Sequence, residues 1–424
     1  RRTNDARRIG STIYSPSAES LYRLVHPSNA CMERKRTLLF PIVDFQEINL
    51  GKDVFLTPYY LGKKHNLEVR IVYPLSENNK HLPAEYRGVK LIPLPFKSNY
   101  SSFSFKGEWY FLYYILMHAR EADVLMRFHF SVQTGLIGLI YKMLNPNGVF
   151  YIKGDGYGLF TSLFRKENSL LMKVKNFLIR KAMHFTCGLA DLISVETPSL
   201  FDYLRAELPA RMNDKVVLML NGFDEEYCRE LQIKRRSLPE KENITLAVGR
   251  IGAPDKNNEQ LLYALEKTDL KDWKVVFVGP VENRAHDFRQ TIDEFYKRNP
   301  HLTEKVLFPG AVYDKKELWE WYNRAKVFVH TSPKESFGIV LSEAFYFDNY
   351  ILSTPVGIAS YLINFGYGEL VNHNDVEGLA SKLQEVIDGK TDLEERLSSR
   401  TMDNDAFTLK KEIDKLGNLF PENG

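Results

Sequence analysis

The sequence predicts an α/β protein of two doubly wound parallel-sheet domains facing a cleft. Three observations carry this reading. Short β-branched apolar runs alternate with segments of helical period, the pattern of parallel sheets covered on both faces. The alternation stops once, at Asn221-Gly222-Phe223-Asp224 and the charged stretch 225–242, and then restarts. At 424 residues, 44% hydrophobic and 26% charged, the chain is long and apolar enough for two cores. The expected domains are 1–225 and 226–424, with the last helix a candidate to pack back on the first domain.

The first 36 residues show no clean period. Leu38 to Phe45 reads as a strand, and the loop Asn49-Leu50-Gly51-Lys52 then opens a helix ending near Lys64. Strands follow at Leu67 to Tyr73 and Val89 to Leu94, then an aromatic-rich helix from Glu108 to Arg120. Val124 to Phe130 is a strand, Val132 to Met143 a helix, and Val149 to Lys153 a strand running into Gly154-Asp155-Gly156. A basic helix spans Leu170 to Phe185, and strands at Leu192 to Val195 and Val216 to Leu220 close this half. The turn at Asn221 and the poorly patterned residues 225–242 read as a linker. Beyond it, strands are expected at Ile244 to Val248, Lys274 to Val278, Val306 to Phe308, Val327 to His330 and Tyr350 to Ser353. Helices are expected at 257–267, 283–298, 314–324, 337–347 and Val376 to Ile387. Two such domains bind ligands at the carboxyl ends of their strands, in the cleft between them.

Three cysteines without metal-ligand spacing suggest a reducing compartment. The polar, basic start RRTNDARRIG has no apolar signal core and reads as a trimmed end or tag remnant. The longest apolar run, Trp109 to Met117, is nine residues, too short to span a bilayer. A cytoplasmic location is therefore expected. Residues 1–220 balance at +11 and residues 221–424 at −8, within a net charge of +3. A basic half suits an anionic membrane surface, with scattered surface lysines the plain alternative. Nucleic acid is not an expected partner.

The richest stretch runs from Ser332 to Phe345. A buried strand ends at His330, a short loop carries Glu335 and Ser336, and a helix begins at Phe337 and Gly338. Gly338 permits close approach of a ligand to the backbone, and the first-turn N–H groups form an anion site. Glu335 and Glu343, with seven residues between them, can each grip hydroxyls. A solvated surface pair is the plain alternative. At the same sheet edge Arg250 and Lys256, six residues apart, straddle a strand-to-helix loop. A diphosphate fits between these cations and the helix start.

These residues resemble the retaining glycosyltransferases of the GT-B fold, family 4 (glycosyl transferases group 1). The matching residues are Gly249, Arg250, Lys256 and Asn257, then Phe277-Val278-Gly279, Phe308-Pro309-Gly310-Ala311-Val312, Glu335 to Glu343, Thr354-Pro355-Val356-Gly357 and the turn at Asn221. The resemblance is strong over 221–390 and diffuse over 37–220. It implies two Rossmann-like domains, the first for the acceptor and the second for the nucleotide-sugar donor. It implies that Arg250 and Lys256 hold the donor diphosphate, Glu335 contacts the transferred sugar and Glu343 binds the ribose. Ser336, Phe337, Gly338 and Ile339 approach sugar and phosphate, with Gly249 and Asn257 in the donor loop and Val312 near the base. The acceptor is a saccharide or lipid-linked, as in surface polysaccharide or glycolipid synthesis on the inner face of a membrane. No cofactor or metal is implied, because fixed cations stand where other transferases use Asp-rich metal loops.

The sequence departs from the family on the acceptor side. A His common after about the fourth strand of the first domain is not found in Val149 to Asp155, where Lys153 or Asp155 can take its place. Turn chemistry alone also explains Asp155. The first-domain loop carries only Gly51 where two glycines are usual. His129 and His184 read as packing or surface histidines. Same-face attack and double displacement through Glu335 both remain open. The rival functions are an epimerase or hydrolase of the same fold, or a non-catalytic nucleotide-sugar-binding subunit.

Overall fold

The computed structural model describes residues 34–97, 105–155, 170–282, 287–366 and 368–420. The opening stretch 1–33 and Gly156 lie outside the described residues. The first sheet contains β1 (Thr37–Pro41), β2 (Glu68–Leu75), β3 (Glu85–Tyr86), β4 (Val89–Lys97), β5 (Val124–Phe128), β6 (Val149–Gly154), β7 (Leu192–Val195) and β8 (Val216–Leu218). Its order is β3-β4-β2-β1-β5-β6-β7-β8, parallel throughout except for the antiparallel edge strand β3. The second contains β9 (Glu242–Val248), β10 (Lys274–Val278), β11 (Val306–Gly310), β12 (Ala325–His330), β13 (Tyr350–Ser353) and β14 (Gly368–Leu370). Its order is β11-β10-β9-β12-β13-β14, all parallel.

Alternate residues of the central strands enter opposite cores, so both faces of both sheets are covered there. In β1, Leu38 and Phe40 join one core and Leu39 the other. In the second sheet, Leu246 and Phe328 face one side, Ala247 and Val329 the other. Strand order reverses between β1 and β5 and between β9 and β12, so the loops after these strands open at a switch point in each sheet.

The structure differs from the sequence reading in several places. Residues 225–242 are not a bare linker. A helix, Glu225–Glu230, is capped by Asp224, and Cys228 and Ile233 are buried in the second core. The helix Pro198–Glu207, capped by Thr197, and the short strands β3 and β14 were not expected. The final helix, Leu409–Asp414, lies against the first-domain helix Asp53–His65: Leu409, Ile413, Leu416 and Leu419 enter a first-sheet core. Lys64 Nζ donates to the Ile413 and Asp414 carbonyls at 3.2 Å each.

The basic helix Leu170–Leu189 buries Met183 and Cys187, but Val174, Phe177, Leu178 and Phe185 are exposed. Apolar side chains of this helix, and not its charges alone, therefore reach solvent.

Candidate functional site

The second-domain wall of the cleft begins where β12 ends. Gly338 caps the helix Ile339–Tyr346 with φ +87°, a conformation that L side chains rarely adopt, and this turn brings the backbone of 336–339 to the cleft. Glu335 sits in the same loop. Its Oε1 accepts from Lys256 Nζ and from Ser332 Oγ at 3.0 Å, and lies 3.4 Å from His330 Nε2. Burial alone would raise the Glu335 carboxyl. The nearby His330 ring and the Lys256 charge outweigh it and hold the carboxyl at about 2. Thr331 Oγ1 donates to the Lys256 carbonyl at 3.0 Å, tying the loop after β9 to the end of β12.

Glu343 is buried in the second turn of this helix. Its Oε1 accepts from Trp319 Nε1 at 2.9 Å and from Lys315 Nζ at 2.8 Å. Lys315 reaches across to the first domain, where a Cβ on Gly51 would meet its Cε at 2.9 Å. Lys52, next to Gly51, adds a third cation. Burial lowers its pKa, Asp53 opposes, and Lys315 pushes it down further.

The first-domain wall is a buried charge network. Lys153, fully enclosed, pairs with Asp53 at 2.9 Å and with Glu196 at 3.5 Å. Burial would lower the Lys153 pKa, but the two carboxylates outweigh it and hold the group charged. Asn221 Nδ2 donates to Glu196 Oε2 at 2.7 Å. At the rim His129 Nδ1 lies 2.7 Å from Asp155 Oδ1. His129 takes φ +66°, an uncommon backbone for a non-glycine residue. The cleft between these walls holds about 830 Å³, part of it open solvent.

The structure thus brings Asp155, Lys256, Glu335, Ser336, Phe337, Gly338 and Ile339 to one cleft. Gly51 and Glu343 line the adjoining space beneath it. Lys153 lies below the first-domain surface rather than on it. Arg250 is turned outward, its Nη2 bound to Asp255 at 2.6–2.7 Å. Asn257 bonds Gln260 and Asn374 at 3.1 and 3.0 Å. Gly249 contributes a left-handed loop residue, and Val312 packs on the second core. Sequence reasoning missed Lys52, Asp53, Glu196 and His330; His129, read as a packing or surface histidine, is exposed and lines the cleft. The signal for His129 was its place at the carboxyl end of β5, the same rule that singled out Glu335. His184 keeps the surface reading, 3.7 Å from Glu207.

Comparison with known proteins follows this geometry. Residues 229–403 match the model of the family described as glycosyl transferases group 1. The capsular polysaccharide biosynthesis glycosyltransferase CapM of Staphylococcus aureus is 22% identical over 350 residues, 78% of this chain and 83% of the relative. Sucrose-phosphate synthase from Thermosynechococcus elongatus superposes with TM-score 0.61 at 18% identity, covering 90% of this chain and 98% of that one. Anabaena Alr3699/HepE, solved in complex with UDP, gives TM-score 0.62 at 15% identity with the same coverage. The chain has the GT-B fold.

Proposed function

We propose that this chain is a retaining, metal-independent glycosyltransferase of family 4. It moves a sugar from a nucleotide sugar to a saccharide or lipid-linked acceptor in surface polysaccharide or glycolipid synthesis. The observation that carries the reading is the Lys256–Glu335 pair at the start of the helix Ile339–Tyr346, facing the first-domain wall. Residues 1–225 take the acceptor and 226–424 the donor. Lys256 and Lys52 hold the diphosphate. Arg250 joins them, since an exposed ion pair such as Arg250–Asp255 is weak enough for phosphate to displace. Glu335 grips hydroxyls of the transferred sugar, and Glu343 those of the ribose. Asn257, Gly249 and Val312 shape the donor loop and the base site. Asp155 orients His129 beside the reacting sugar.

In the same-face route, the bond from sugar C1 to the phosphate oxygen breaks as the acceptor oxygen bonds C1. The acceptor proton passes to the leaving diphosphate. Preorganised cations stabilise the charge that builds there, which is the largest available catalytic contribution. They supply the charge that other transferases draw from a divalent ion.

The test is a thermal-shift screen of nucleotide sugars, then transfer assays with the binding donor. Acceptor-dependent release of nucleotide, a retained anomeric configuration and turnover that survives EDTA are expected. Nucleotide release equally fast without acceptor means a hydrolase. Binding without turnover on any acceptor means a binding subunit.

A second observation favours a membrane-surface role on the cytoplasmic face: basic and apolar side chains are exposed together on Leu170–Leu189. Among the described residues no helix is long and apolar enough to cross a membrane.

A further inference from the structure

Two acceptor atoms in the cleft wall are buried and have no hydrogen-bond partner: Glu196 Oε1 and Asn221 Oδ1. Both residues line the cleft, and both are nearly fully enclosed, Glu196 at 2% and Asn221 at 4% exposure. The orientation of the Asn221 amide is fixed, because its Nδ2 donates to Glu196 Oε2. Flipping it would set oxygen against carboxylate. An unpaired buried acceptor is costly, so each atom calls for a donor from outside the protein.

The neighbouring cation is already committed. Lys153 lies between Asp53 and Glu196, with its Nζ 4.8 Å from the Phe128 ring centre. Carboxylates of Asp53, Asp155 and Glu196 crowd this wall, against Lys153 and the rim residue His129. Across the cleft Lys256 is held by Glu335, and Lys52 stands beside Asp53. Burial pushes the Glu196 carboxyl upward. Lys153 pulls it back, and Asp53 and Asp155 push it up again.

We propose that Glu196 and Asn221 form a subsite for an acceptor substrate that presents a hydroxyl or amine there, and that this wall rejects acceptors with a carboxylate or phosphate at that position. The inference rests on the glycosyltransferase reading and deepens it by naming the acceptor's chemistry. A hydroxyl supplies one donor and an ammonium three, and either satisfies the orphaned oxygens. An anion supplies none and meets like charge in a poorly solvated wall. Selection of this kind works through the repelled ligand as much as through the favoured one.

The test titrates the full chain with methyl α-glucoside, glucosamine and glucuronate, followed by saturation-transfer NMR, with and without uridine diphosphate. The first two bind, and glucuronate binds weaker by on the order of tenfold or more. In Glu196→Gln, glucosamine loses affinity and the gap to glucuronate narrows. Equal binding of glucuronate and methyl α-glucoside, binding of none of the three, or an unchanged ranking in a folded Glu196→Gln overturns the subsite. Should that variant not fold, the wild-type ranking alone decides. Failure of every nucleotide sugar in the screen to bind, with the ranking intact, counts against the donor reading and not against this one.

Discussion

Lys256 Nζ touches Glu335 Oε1, joining the loop after β9 to the loop after β12. The contact links the cation proposed for the donor phosphate to the carboxylate proposed for the transferred sugar, so charge building on that phosphate would be felt at both. Lys256→Ala is expected to lower kcat roughly 100-fold or more, as loss of a preorganised partner of the transition state does. Arg250→Ala is expected to do the same once the diphosphate draws the guanidinium from Asp255. Steady-state kinetics on folded variants checks this, and near-normal turnover in both would sink the diphosphate assignment.

The two glutamates should separate kinetically. Glu343 already accepts from Trp319 and Lys315, so the ribose proposed there would share a carboxylate that is held in place. Glu343→Gln keeps the volume and should weaken nucleotide binding by about tenfold, the worth of one hydrogen bond to a charged group. Glu335→Gln should act mainly on kcat. Calorimetry with the nucleotide, set beside turnover, makes the comparison. An equal loss of nucleotide affinity in both variants argues against the split.

Glu335 also links pH to stability. Its folded pKa, about 2, lies below its ordinary 4.5. The carboxylate therefore contributes stability above about pH 4.5, and loses it as pH falls toward 2. At 1.36 kcal/mol per unit the contribution is about 3 kcal/mol. Urea unfolding of wild type and Glu335→Gln should show a gap that is full at pH 7 and shrinks below pH 4.5. A gap that grows on acidification refutes the assignment.

What was legible in the sequence is what is local. Glu335, Gly338 and Glu343 belong to one strand–loop–helix unit, and Arg250 and Lys256 to one loop, so spacing alone placed them. The first-domain wall was legible only in part: Lys153 and Asp155 stood out at the end of one strand, but Asp53, Lys153, Glu196 and Asn221 meet only through the parallel register of a sheet whose strands are far apart in sequence. Rotamers were beyond reach as well: nothing in the spacing says that Arg250 turns to Asp255 while Lys256 turns to Glu335. The stretch 225–242 misled because its burial comes from isolated residues, Cys228 and Ile233, rather than from a periodic face.

The last prediction concerns the exposed side of the first domain. The helix Leu170–Leu189 packs against Val132–Leu144, which packs against Phe105–His118. On the first of these Phe177 and Leu178 are 57% and 61% exposed, and Lys173, Lys175 and Lys181 are exposed beside them. Arg180 is drawn to Glu207, so the three lysines carry the free charge. Val132, Leu136 and Met143 extend the apolar surface onto the next helix. Three lysines near an anionic surface contribute on the order of 3 kcal/mol, and this part is screened by salt. Burying Phe177 and Leu178 in the headgroup layer adds roughly 1.5–3 kcal/mol per side chain, and this part is not screened. Co-sedimentation should therefore show binding to anionic vesicles and little to neutral ones, with high salt releasing only a fraction. A double change of Phe177 and Leu178 to Ser should make the remainder salt-labile. Complete release of wild type by salt would mean purely electrostatic attachment, and no binding to anionic vesicles at low salt would end the idea.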